Sequence, residues 1–160
     1  MGTRLTPLRI GVFVVLAAAV AILASSSALA SKSAVAKPTV TTKKLRGLGV
    51  VLVNSRGRTL YMFVPDKQKR VTCKGTCARY WPPLKLKKGQ RPTAGGTARK
   101  KLLGSDPNPS GGRVVTYNRW PLYTYIADTK AGQATGQAIK LNGGYWYVLS
   151  PAGRVIKKKP

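Results

Sequence analysis

Arg58-Thr59-Leu60-Tyr61-Met62-Phe63-Val64-Pro65-Asp66 is answered, 62 positions later, by Trp120-Pro121-Leu122-Tyr123-Thr124-Tyr125-Ile126-Ala127-Asp128. Both stretches reduce to Leu-Tyr-x-aromatic-aliphatic-x-Asp, and self-similarity of this kind marks a chain built from related supersecondary units. Upstream of each lies a short apolar run, Val50 to Val53 in the first half and Val114 to Tyr117 in the second. Asn54-Ser55-Arg56-Gly57 and Asn118-Arg119-Trp120-Pro121 separate the runs from the motifs, and such residues favour chain reversal. Downstream each half reaches a tryptophan, Trp81 or Trp146. A third hairpin is expected where Tyr145 to Leu149 and Arg154 to Ile156 flank Ser150-Pro151-Ala152-Gly153, and a single helical turn within Cys73 to Tyr80. Strand alternation puts Tyr61 and Phe63 on one face and Leu60, Met62 and Val64 on the other, so both faces are apolar. The fold class is mainly β: two related hairpin-containing repeats packed as one small β domain, with a short helical turn near the cysteine pair.

These residues carry a family resemblance. The two motifs fit the Y-x-[FWY]-x-x-D signature of a bacterial secreted-repeat family whose members are often described as predicted lipoproteins. The likeness extends to Thr72-Cys73-Lys74-Gly75-Thr76-Cys77-Ala78 with Trp81-Pro82-Pro83-Leu84, and to Gly144-Tyr145-Trp146-Tyr147-Val148 with Ser150-Pro151-Ala152-Gly153. It implies an exported envelope protein and carries no established activity. The lipid-attachment cysteine of a lipoprotein is missing, and the charge is unusually basic.

Residues 1–30 have the layout of a secretory signal: Arg4 and Arg9, the uncharged apolar run Ile10 to Ala24, then Ala28-Leu29-Ala30. Fifteen apolar residues make about 22 Å of helix, short of a hydrocarbon core of roughly 30 Å. Uncleaved, the segment would serve as an N-terminal anchor. Cleavage after Ala30 would remove Arg4 and Arg9 and leave 130 residues at formal +24. Residues 31–46 read as a flexible basic stalk. The β-repeat domain spans 47–156, with repeat one at 47–89, a Gly/Pro/Ser-rich linker at 90–111 and repeat two at 112–156. Residues 157–160 form a basic tail.

The full chain has 29 Lys and Arg against three acids and no His, a formal charge of +26. Histidine-based triads, His-ligated metals and paired-glutamate hydrolysis are excluded because the residues are absent. Asp66 and Asp128 occupy equivalent repeat positions. They could form a two-carboxylate site, but an Asp just past a strand ordinarily accepts turn N–H groups, and the cationic surroundings oppose the raised pKa of a general acid. The reading is therefore structural, with no catalytic residue and no enzyme activity. Tyr61, Phe63, Tyr123 and Tyr125, with Trp81, Trp146 and Tyr147, could stack on sugars or bases. A β core is the commoner use of such residues.

Cys73 and Cys77, the only cysteines, are expected to form a disulfide in an oxidising compartment. Two thiolates without His cannot complete a metal site, and three intervening residues do not make a Cys-x-x-Cys redox pair. No cofactor is implied. The remaining functional signal is cationic. Candidate anion-binding groups are Lys85, Lys87 and Lys88; Arg99, Lys100 and Lys101; and Lys157, Lys158 and Lys159. An anionic cell-wall polymer or membrane surface is the expected partner, with an envelope protein docked on the aromatic hairpins as the alternative. Export argues against specific nucleic-acid binding.

Overall fold

Val40-Thr41-Thr42-Lys43-Lys44-Leu45 is a β-branched run with an apolar residue at each end, and it forms strand β1 (Val40–Leu45). β1 pairs antiparallel with β2 (Gly49–Asn54) along its whole length, from Val40 opposite Asn54 to Leu45 opposite Gly49. The Asn54 side chain accepts N–H groups of Arg56 and Arg58, which closes the reversal after β2. The chain then enters β3 (Tyr61–Phe63), which ends in a 3-10 turn at Val64–Asp66. Helix α1 (Thr76–Tyr80) and β4 (Lys85–Leu86) complete the first half. The second half holds a 3-10 turn at Lys100–Leu102, then β5 (Leu103–Pro107), β6 (Arg113–Tyr117) and β7 (Trp120–Pro121). β8 (Ile139–Leu141), β9 (Gly144–Leu149) and β10 (Val155–Ile156) follow. This computed structural model describes residues 1–3, 37–66 and 70–160, and those from 37 onward belong to one compact unit. The export signal, apart from residues 1–3, lies outside the described residues, as do the stalk up to residue 36 and residues 67–69.

The two halves are interlocked. β3 of the first half pairs with β9 of the second, and β4 of the first pairs with β6 of the second. Each Trp-bearing segment therefore crosses over to complete the other repeat's sheet. β3 shares a sheet with β8, β9 and β10, while β4 joins β5, β6 and β7. The alternation along residues 60–63 separates two packed layers. Tyr61 and Phe63 join Trp81, Tyr123 and Trp146 in one cluster, whereas Leu60 and Met62 join Tyr117, Leu122 and Leu149 in the other. Through the first cluster runs a column of near-parallel rings. Tyr125 stacks on Trp81 at 4.0 Å, Trp81 on Trp146 at 3.8 Å, and Trp146 on Phe63 at 4.2 Å. A Cβ at position 136 would stand 2.5 Å from the Trp81 ring, so that position must be glycine.

Five sequence expectations change. Residues 40–45, assigned to the stalk, are a strand of the domain. Val40 is fully buried, and its backbone also bonds Thr93 and Gly95. The linker at 90–111 is correspondingly structured: its first part runs along β1, and its second contains β5, hydrogen-bonded to β6 over five residues. Leu122 to Ile126 is not a continuous strand, because after β7 only Tyr123 forms β bridges, to Tyr61 and Pro83. The reversal before β7 uses just Asn118 and Arg119, both at positive φ (47° and 69°), the conformation of a two-residue hairpin turn. Finally, the basic tail is docked through its backbone. The buried Gln137 amide donates to the carbonyls of Ile156 (2.6 Å) and Lys158 (2.8 Å), while the lysine side chains stay exposed.

Cys73 and Cys77 are joined in a disulfide at the entry to α1, a helix too short to persist alone. The bond closes a loop of about five residues, for which the chain-entropy estimate is about 2 kcal/mol. Reduction is expected to lower unfolding stability by that amount without abolishing the fold, and to raise the intact mass by two hydrogens. Urea titrations with and without reductant check the first, and mass spectrometry the second.

Candidate functional site

The repeated tyrosines meet. Tyr61 N–H donates to the Tyr123 carbonyl at 2.8 Å, and Tyr123 N–H returns the bond to Tyr61 at 2.9 Å. From this reciprocal pair each phenol reaches into the other repeat. Tyr61 Oη donates to Asp128 Oδ2 at 2.6 Å, and Tyr123 Oη donates to Asp66 Oδ2 at 2.5 Å. The second oxygen of each carboxylate is filled by a threonine from its own repeat. Thr72 donates its N–H and Oγ to Asp66 Oδ1 at 2.7 and 2.5 Å; Thr135 does the same to Asp128 Oδ1 at 2.9 and 2.6 Å. Asp66 is fully buried and Asp128 1 % exposed. The motif therefore builds two crossed clasps, each closing a loop of its own repeat and tying it to the other.

Thr72 and Thr135 were missed in the sequence, although each follows its aspartate at six or seven residues. These clasps present no chemistry to solvent, since both carboxylates are enclosed and their oxygens are occupied by donors. Burial raises the pKa of Asp66, an effect opposed by the hydrogen bonds from Thr72, Tyr123 and the Cys73 backbone. Both phenols are pushed far above their usual value of 10.0. Burial is the first cause for each, followed for Tyr61 by the hydrogen bond to Asp128 and for Tyr123 by the charge of Asp66.

A pH dependence follows from these tyrosines. The unfolded chain releases each phenolic proton near pH 10, whereas the folded chain holds it, so the stability they support is complete below pH 10 and is lost as pH rises further. Two phenols at about 1.4 kcal/mol per pH unit each give a loss on the order of 4 kcal/mol by pH 11.5. Urea unfolding from pH 9 to 11.5 should show this slope, and the Tyr61→Phe/Tyr123→Phe double variant should flatten it.

The aromatic residues divide by depth. Tyr61, Phe63, Trp81, Tyr123 and Trp146 are buried, Tyr125 and Tyr147 are partly covered, and Tyr80 and Tyr145 are each 45 % exposed. Among the described residues, no group of three or more His, Cys, Asp or Glu could hold a metal ion.

The cationic candidates do not form one patch. Lys87 and Lys88 line a cleft of about 530 Å³ together with Arg91 and Arg113, between the turn after β4 and the β5–β6 hairpin. Lys85 lies on β4 outside that lining. Arg99 faces a different hollow with Arg154, and Lys101 a third with Arg119. Lys100 is exposed on the 3-10 turn, and Lys157, Lys158 and Lys159 are exposed on the tail. Arg91 and Arg113 were not singled out in the sequence, because 22 positions separate them and only the β4–β6 pairing brings their neighbourhoods together. All three acids of the chain are buried, with Asp106 at 8 % the most exposed.

A family model described as a secreted repeat of unknown function matches residues 42–85 and 107–150, together more than half of the chain. Each match begins within the first strand of a hairpin and runs beyond the motif aspartate, and the first begins inside the segment assigned to the stalk. No curated protein and no solved structure matches the chain. Among the described residues, no helix is long and apolar enough to cross a membrane.

Proposed function

The chain belongs to this family of secreted repeats, and from that membership we propose that it is a non-enzymatic attachment module of the cell envelope, held to anionic polymer or membrane by its cationic exterior. The observation carrying this reading is the sorting of charge. All three aspartate side chains are buried, at 8 % exposure or less, whereas Lys and Arg side chains line the exterior, so the surface is predominantly cationic. Such a surface attracts polyanions over a Debye length of roughly 10 Å and loses that attraction as salt rises. The enclosed clasps support the absence of catalysis, since they offer neither an accessible acid nor a base.

Binding to anionic wall polymer or vesicles should fall on the order of a thousandfold between 50 and 200 mM salt if about six contacts are made. Salt-insensitive or absent binding overturns the proposal. A second reading, docking to an envelope protein, is favoured by one observation: the exposed Tyr145 lies parallel to the partly covered Tyr147 on β9. Capture of a partner that survives high salt, and is lost in Tyr145→Ser, would favour docking instead.

A further inference from the structure

We propose that the cleft between the β4 turn and the β5–β6 hairpin is the seat of a phosphate-bearing polymer segment, an inference that rests on the attachment reading and gives it an address. Four cations line this cleft, Lys87, Lys88, Arg91 and Arg113, and no acid is among its lining residues. Among the described residues, the hollows around Arg99 with Arg154, and around Arg70 with Lys74, each hold two. A third hollow combines Lys101 and Arg119 with Asp106, which offsets their charge.

The cleft is also organised before any ligand arrives. Arg113 stands on β6 opposite Leu86 of β4 and Pro107 of β5, a central position in its sheet. Its Nε donates to Ser105 Oγ at 2.8 Å, and a terminal nitrogen donates to the Ser105 carbonyl. These bonds fix the plane of the guanidinium while leaving donors over, the condition for forked recognition of phosphate. Lys87, Lys88 and Arg91 come from a tight turn closed by Gln90 N–H to the Lys87 carbonyl, with Gly89 at φ 77°. Partly buried Leu86 and Pro92 add an apolar part to the same lining. Cations beside an apolar wall suit a chain that alternates phosphates with carbon-rich units, and polar groups beside apolar lining give a pocket both orientation and contact area. Concavity favours a polymer strand over a planar membrane, which would meet the convex exterior.

The test measures binding of synthetic poly(glycerol phosphate), polygalacturonate and phosphatidylglycerol vesicles to the full chain at 50 mM salt, with folding verified by circular dichroism. The Lys87→Ala/Lys88→Ala/Arg91→Ala variant should bind poly(glycerol phosphate) about a hundredfold more weakly. The Lys157→Ala/Lys158→Ala/Lys159→Ala variant, which loses the same charge, should lose no more than about threefold. Arg113→Lys, at unchanged charge, should lose roughly tenfold through loss of the fork. Equal weakening by both triple variants overturns the cleft and leaves diffuse attachment standing. Wild-type protein that binds none of the three probes overturns the attachment reading, and the cleft falls with it. A cleft variant impaired equally on polygalacturonate or vesicles overturns the choice of a phosphate polymer.

Discussion

Asp128→Ala is expected to destabilise the domain by about 3–5 kcal/mol. The carboxylate accepts three donors in a fully enclosed setting, the N–H and Oγ of Thr135 and the phenol of Tyr61. Truncation to alanine leaves the buried Tyr61 phenol without its acceptor, at about 1–3 kcal/mol, and forfeits the two part-buried bonds from the exposed Thr135, at about 1 kcal/mol each. Against a total stability of about 5–15 kcal/mol, that loss would lower the melting temperature by on the order of 10–20 °C. Asp66→Ala should behave in the same way, since Thr72 and Tyr123 repeat the arrangement. Asn at either position keeps the shape and can accept from the threonine while its amide donates to the phenol oxygen, so about 1 kcal/mol is expected.

The crossed wiring makes a sharper forecast than the magnitudes. Tyr61→Phe combined with Asp128→Ala should cost clearly less than the sum of the single variants, because both remove one shared bond. Tyr61→Phe combined with Asp66→Ala touches two different bonds and should be closer to additive. Urea titrations of the three single and two double variants decide it. Coupling that followed the repeats, Tyr61 with Asp66, would contradict the crossed arrangement.

How far the chain could be read in advance depends on the range of each interaction. β-branched and aromatic runs place β2, β3, β6 and β9 near their observed positions, because strand formation leaves a local signature. The helical turn beside Cys73–Cys77 is legible for the same reason. Partner choice is not local. Tyr61-Met62-Phe63 is apolar on both faces and only three residues long, so nothing in it distinguishes β2 from β9 as its neighbour. The linker hid β5 because Gly104, Ser105, Asp106 and Pro107 have the composition of a loop, and only the continuous ladder to β6 makes them a strand. The aspartates were recognised as loop-fixing groups, but their phenol partners stand 57 and 67 residues away. The cationic cleft was half legible: Lys87 and Lys88 are sequence neighbours, whereas Arg91 and Arg113 converge on them only through the fold.

Interlocking sets the largest expected effect of all, complete loss of folding when the repeats are parted. Fragments 37–90 and 91–160 divide the chain in an exposed stretch, so the cut itself removes little packing. It nevertheless strips β3 of β9, β4 of β6, Trp81 of Trp146, and both aspartates of their phenols. What remains regular in the first fragment is chiefly the β1–β2 hairpin, and a lone hairpin is marginal in water. Loss of packing around a single buried Trp costs about 3–5 kcal/mol, so the pair accounts for most of a typical domain's stability. Each fragment alone should therefore show unfolded circular dichroism and collapsed amide dispersion in NMR spectra. Equimolar mixing should restore native spectra in a concentration-dependent manner, because every missing surface is present on the other piece. A fragment that folds alone as a monomer would show that the repeats are self-sufficient and that the exchange of strands is dispensable.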